Sequence, residues 1–183
     1  MPWIHRETQR LRLGRRSEPG ACYFVTWVTQ ARRPVLADPD ARKATLAALR
    51  RLHAEDDGVP WCATVMPDHV HVVLTLGSRL TLGQWIAKAK HLARSAITRS
   101  FAWQTDAFEH HLRINETPED YGLYTFLNPY REKLVRVDQP WPGWWCPDNR
   151  KFGFLTHTTP TGCPQADWCR AFEARLAALS SGE

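Results

Sequence analysis

The sequence predicts an α+β fold. Its centre is a ferredoxin-like βαββαβ unit, an antiparallel sheet with helices on one face, followed by a tyrosine-bearing helix and a C-terminal tail. Three observations predict it. From His69 to Leu76 the chain alternates with a period of two: Val70, Val72, Leu74 and Leu76 point one way, His69, His71, Val73 and Thr75 the other. Across residues 80–98, Leu82, Trp85, Ile86, Ala89, Ala93, Ala96 and Ile97 recur at helical spacing. The segments up to residue 113 then succeed one another as strand, helix, strand, strand, helix, strand.

Taken in order, residues 6–16 carry Arg6, Arg10, Arg12, Arg15 and Arg16 against Glu7 alone. This is a basic arm that could lie along a phosphate backbone, or a solvated terminus. Tyr23 to Thr29 is rich in aromatic and β-branched residues and reads as a strand, with Ala31-Arg32-Arg33-Pro34 as its loop. Asp38-Pro39 starts a helix, Asp as the cap and Pro in the first position. Ala41, Ala44, Ala48, Leu49 and Leu52 form its apolar stripe, and Gly58 is the expected stop. Trp61 to Val65 is a second strand, joined to the histidine strand by the turn Met66-Pro67-Asp68.

The two histidines stand together on the face opposite the valines. Two imidazoles two residues apart on a strand can offer two nitrogens to one metal ion; a hydrogen-bonded structural role is the alternative. The helices are expected to cover the valine side and leave the histidine side to solvent or a partner. Residues 101–104 and 107–113 read as short extended pieces. Thr117-Pro118-Glu119-Asp120 starts another helix, in which Tyr121, Tyr124 and Asn128 share one side at spacings of three and four. Pro129 is expected to kink or end it at Asn128. Beyond it, Trp141, Trp144, Trp145, Phe152 and Phe154 lie near Arg150 and Lys151, a composition suited to stacking on unpaired bases or to a hydrophobic flap. Residues 165–179 read as a closing amphipathic helix through Trp168, Phe172, Leu176 and Leu179.

Composition narrows the class. A net charge of +5 suits a polyanionic partner. Five cysteines without a Cys-x-x-Cys pair suggest neither a disulfide framework nor a zinc ribbon. No apolar run is long enough to cross a membrane, so no membrane partner is expected. The first residues lack the apolar core of an export signal, which makes a cytoplasmic location the expectation.

Met66-Pro67-Asp68-His69-Val70-His71, followed by Tyr124-Thr125-Phe126-Leu127-Asn128-Pro129-Tyr130-Arg131, resembles the single-tyrosine HUH transposases, in particular the REP-associated tyrosine transposase branch. Trp103-Gln104, Phe108, Leu112-Arg113, Tyr23-Phe24-Val25-Thr26 and Arg32-Arg33-Pro34 fit the same pattern. The resemblance covers roughly residues 10–137. Two departures stand out: Thr125 replaces an aliphatic residue, and Arg131-Glu132-Lys133-Leu134-Val135 replaces Arg-Ala-Gly-Leu-Val.

The expected division is a basic arm over 1–20, a nuclease and strand-transferase domain over 21–137, as the resemblance implies, and an aromatic, basic tail over 138–183. It implies a Mg²⁺ or Mn²⁺ site at His69, His71 and Asn128, and Tyr124 as a nucleophile that forms a 5′-phosphotyrosine, with Tyr121 as the runner-up. The implied partner is single-stranded or hairpin DNA, bound by a monomer or homodimer. Candidate DNA contacts are Arg12, Arg15, Arg16, Lys88, Lys90 and Arg131, with a solvated surface as the alternative for the helix lysines. Two other readings compete: a DNA-binding protein that no longer cuts, and an unrelated metal protein that adds His110 or His111 to the histidine pair.

Overall fold

The structure, a computed structural model, describes residues 17–55, 57–148 and 152–171. The elements follow the predicted order. They are β1 (Cys22–Thr29), α1 (Pro39–Ala54), β2 (Gly58–Val65), β3 (His69–Leu76), α2 (Leu82–Ala96), β4 (Trp103–His111), α3 (Pro118–Arg131) and a two-residue β5 (Trp144–Trp145). The five strands form one sheet in the order β4-β1-β3-β2-β5, antiparallel at each pairing. Its first four strands have the predicted ferredoxin-like arrangement. The two extended pieces expected around residue 105 are one continuous strand, β4.

Each face of the sheet carries a core. On one, Tyr23, Val25 and Trp27 of β1 and Val70, Val72, Leu74 and Leu76 of β3 pack beneath α1 and α2. Trp27 meets Trp85 of α2 edge-to-face at 6.4 Å, a geometry that aromatic quadrupoles favour. Asp38 caps α1, accepting from the amides of Asp40 and Ala41. Gly58 does not stop that helix. It opens β2, where a Cβ would lie 3.1 Å from the Trp85 indole nitrogen, so its role is close packing rather than a helix cap.

The second face departs from expectation. The histidine side of β3 is not open: α3 lies across it, and Phe24, Cys62 and Val73 pack there with Phe126, Leu127 and Tyr130. Burial on both faces explains why Tyr23, Phe24 and Val25 are all buried in succession.

Pro129 does not end α3, which runs on to Arg131. A proline at 129 leaves the Thr125 carbonyl without its helical donor, and the Thr64 hydroxyl of β2 donates to that oxygen at 2.8 Å. The sheet thus replaces the missing bond, and Asn128 stays helical. The helix closes at Lys133, whose φ is +57°. The amides of Lys133 and Leu134 bond back to the carbonyls of Tyr130 and Pro129. This is a Schellman closure with a lysine in the left-handed position that glycine usually takes.

The aromatic tail is spent on packing, as in the flap reading. Trp144 and Trp145 pair with Thr64 and Ala63 as β5, and the Trp141 indole donates to the Val65 carbonyl at 3.1 Å. Phe152, Phe154 and Trp168 join the second core. Gly122 of α3 lets the Phe152 ring approach so closely that a Cβ would lie 2.6 Å from it. Of the predicted closing helix, Phe172, Leu176 and Leu179 lie outside the described residues, as do Arg150 and Lys151. Among the described residues no helix is long and apolar enough to cross a membrane.

Candidate active site

β3 and α3 bring the predicted residues together within one chain. His69 Nε2 lies 3.0 Å from His71 Nε2, and the Asn128 amide nitrogen lies 2.7 Å from that same His71 atom. The Tyr124 ring stands 5.6 Å from the His71 ring at 73°. It meets Phe24 edge-on at 5.7 Å, and the Arg131 guanidinium sits 5.6 Å over its ring. One turn of helix separates Tyr124 from Asn128, so both face the same patch of β3.

The outer ring nitrogens explain how the imidazoles are held. His71 Nδ1 lies 2.7 Å from Thr26 Oγ1, its cross-strand neighbour on β1. His69 Nδ1 lies 2.5 Å from Asp68 Oδ1. A carboxylate only accepts, so His69 carries its proton on Nδ1 and Nε2 holds a lone pair. The Asn128 amide donates to His71 Nε2, which places the His71 proton on Nδ1, toward Thr26. Both Nε2 atoms then carry lone pairs 3.0 Å apart, and that of His71 accepts from Asn128.

Electrostatics agree with a neutral His71. Burial drives the His71 pKa well below its usual value, and the charge of Arg32, like that of His69 whenever it is protonated, pushes the same way. Burial raises the Asp68 carboxyl, but the hydrogen bonds and charges of His69 and Arg32 outweigh it and hold it below its usual value.

The donor set fits a divalent cation. Two ligands on adjacent corners of an octahedron with bonds of about 2.1 Å lie about 3.0 Å apart, which is the observed spacing of the two Nε2 atoms. Among the described residues no group of three or more His, Cys, Asp and Glu side chains forms a metal site. The third donor would be the Asn128 amide, turned over so that its oxygen, the end a hard cation prefers, replaces the nitrogen that now bonds His71.

Comparison with known proteins bears on the fold. A REP-associated tyrosine transposase solved bound to a REP hairpin aligns with a TM-score of 0.56 and 20% identity, over 76% of this chain and 93% of that one. The chain has the fold of that transposase. A second solved structure, a transposase candidate from Deinococcus radiodurans, aligns with a TM-score of 0.46 and 19% identity, over 66% of this chain and 95% of that one. No protein-family model matches the chain, and no curated protein does.

On this transposase fold the other predicted residues fall in different places. Lys88 and Lys90 belong to α2, across the sheet from the imidazoles. Lys88 bonds Glu55 at 2.7 Å and also Asp57, which ties α2 to the end of α1. Lys90 reaches the carbonyls of Gln104 and Asp106 at 2.9 and 3.2 Å and fastens α2 to β4. In the structure both bond to the protein itself. Arg12, Arg15 and Arg16 lie outside the described residues.

Tyr121 is turned away from the histidines. Its hydroxyl donates to Glu116 at 3.1 Å and its ring stacks on His110 at 5.5 Å. Burial first, then the Glu116 carboxylate, pushes its pKa well up. His110 itself bonds Glu116 at 2.7 Å. His111 stacks on Tyr23 at 5.0 Å, on the opposite face of the sheet from His71. Neither joins the pair.

Sequence reasoning missed Thr26, Asp68 and Arg32 as parts of the site. Thr26 shares a strand face with Phe24, but its pairing with His71 depends on strand register, which a single strand does not reveal.

Proposed function

We propose that the chain is a metal-dependent single-strand DNA endonuclease and strand transferase that acts at hairpin-forming repeats through a 5′-phosphotyrosine. The observation that carries this reading is the placing of Tyr124 beside His71, with Asn128 bonded to the same imidazole. The hairpin-bound transposase of the same fold supports the choice of substrate.

His69, His71 and Asn128 would hold Mg²⁺ or Mn²⁺, which supplies charge relief to the non-bridging oxygens of the scissile phosphate. The three donors are neutral, so they leave the cation's charge undiminished for that phosphate. Tyr124 is the nucleophile. Its oxygen bonds to phosphorus, the bond from phosphorus to the 3′ oxygen breaks, the phenol gives up its proton and the departing 3′ oxygen gains one. The Arg131 guanidinium over the ring favours the negative charge that develops on the phenol oxygen. The phosphotyrosine retains the energy of the broken linkage, so a second 3′-hydroxyl can attack it and join strands without a nucleotide cofactor.

A labelled hairpin oligonucleotide incubated with the protein and Mn²⁺ is expected to give a covalent adduct that survives denaturation. Tyr124→Phe is expected to abolish the adduct, a loss of at least ~10³-fold, while hairpin binding is kept. Tight binding with no cleavage in any metal would leave a DNA-binding protein instead.

A further inference from the structure

Arg32 reaches Asp68 at 2.8 Å through Oδ2, while His69 takes Oδ1 of the same carboxylate. Both oxygens are therefore engaged. The backbone that delivers Arg32 is unusual: Ala31 and Arg32 are consecutive residues at φ +53° and +51°, a region that non-glycine residues seldom enter. Around them, the Thr29 hydroxyl lies 2.7 Å from the Arg33 carbonyl and 3.0 Å from the Asp68 carbonyl. The Thr29 amide also donates to the Asp68 carbonyl at 2.8 Å. Two loops are thus locked together so that a guanidinium sits on the carboxylate next to His69. Strain that the surrounding bonds maintain beside a site is a reason to look for a role there.

We propose that Arg32 is a positioning residue that makes Asp68 orient His69 and keeps this carboxylate from becoming a ligand of the ion. The inference rests on the metal-dependent reading above. An aspartate next to a metal-binding histidine would otherwise be a strong oxygen ligand for Mg²⁺ or Mn²⁺. Its negative charge would be set against the charge that acts on the phosphate. With Oδ1 on His69 and Oδ2 on Arg32, Asp68 instead fixes the imidazole so that Nε2 faces His71. The cation keeps three neutral protein donors, and the carboxylate's charge is matched by the guanidinium.

The test measures Mn²⁺ affinity, from the electron paramagnetic resonance signal of the free ion, for wild type, Arg32→Ala, Asp68→Ala and the double variant. Nitrogen-15 spectra of the histidine rings are recorded on the metal-free proteins. Asp68→Ala is expected to bind Mn²⁺ about tenfold more weakly and to lose the Nδ1-protonated signature of His69, while that of His71 on Thr26 persists as the sign of an intact fold. Arg32→Ala is expected to bind Mn²⁺ about tenfold more tightly, because the released carboxylate joins the ion, and to form less DNA adduct. Arg32→Lys restores the wild-type affinity. In the Asp68→Ala background, removing Arg32 changes nothing. Unchanged or weaker binding in Arg32→Ala overturns the proposal, as does tightening that persists in the double variant, which would reflect the lost charge alone. A wild-type protein that binds no Mn²⁺ overturns the metal-dependent reading itself.

Discussion

At the scale of the residue, His71 is neutral because the sheet and α3 enclose it, and its own neighbours repel added charge. This has a consequence for the metal-free protein. The folded pKa of His71 lies below that of the unfolded chain, about 6.5, so between the two the unfolded state binds the extra proton. The stability of the buried neutral ring is complete above about pH 6.5 and is lost as the pH falls below it, by about 1.4 kcal/mol per unit. Urea midpoints are expected to drop between pH 7 and pH 5.5 in wild type and to drop less in His71→Gln. Equal slopes for the two proteins would contradict the burial argument. The histidine pair was legible from its period of two; helical spacing set Asn128 beside Tyr124, and only the resemblance joined it to the histidines. Asp68 was legible only as part of a turn, because the chain around it does not say that both its oxygens will be taken.

At the scale of the element, α3 shows how local rules and tertiary contacts divide the work. Thr117, Pro118 and the acids of the first turn mark its start in the sequence, and Thr117 does cap it. The expected end at Asn128 fails because Thr64 supplies the bond that Pro129 removes, and a donor sixty-one residues away in the chain is invisible to local reading. The helix runs on to Arg131 and is closed at Lys133, where the motif of the resembling family has glycine. Lys133→Gly is therefore expected to raise stability by about 1 kcal/mol in urea unfolding, since glycine takes a positive φ without the steric cost of a side chain. A decrease would show that the lysine stem makes compensating contacts. β5 was not legible either: two tryptophans carry no periodicity, and they become a strand because the edge of β2 is there to pair with.

At the scale of the whole molecule, the order of strands and helices was legible, and the closing of the second face was not. The run of buried residues in β1, unbroken from Tyr23 to Val25, is the signal that the sheet has two covered sides. Covering the histidine face with the chain's own α3 places phenol, amide and imidazoles in one protomer. Mixing His71→Ala chains with Tyr124→Phe chains is accordingly expected to restore no adduct. Recovery toward about a quarter of the wild-type yield in an equal mixture would mean that α3 serves a neighbouring chain.

The account depends on Tyr124 being the group that joins DNA. Tyr121, Tyr124 and Tyr130 fall in the same tryptic peptide, between Arg113 and Arg131. Fragmentation of that peptide by mass spectrometry, after reaction with a hairpin oligonucleotide and Mn²⁺ and digestion of the DNA, separates them. The nucleotide mass is predicted on Tyr124 alone; finding it on Tyr121 or Tyr130 would contradict the assignment.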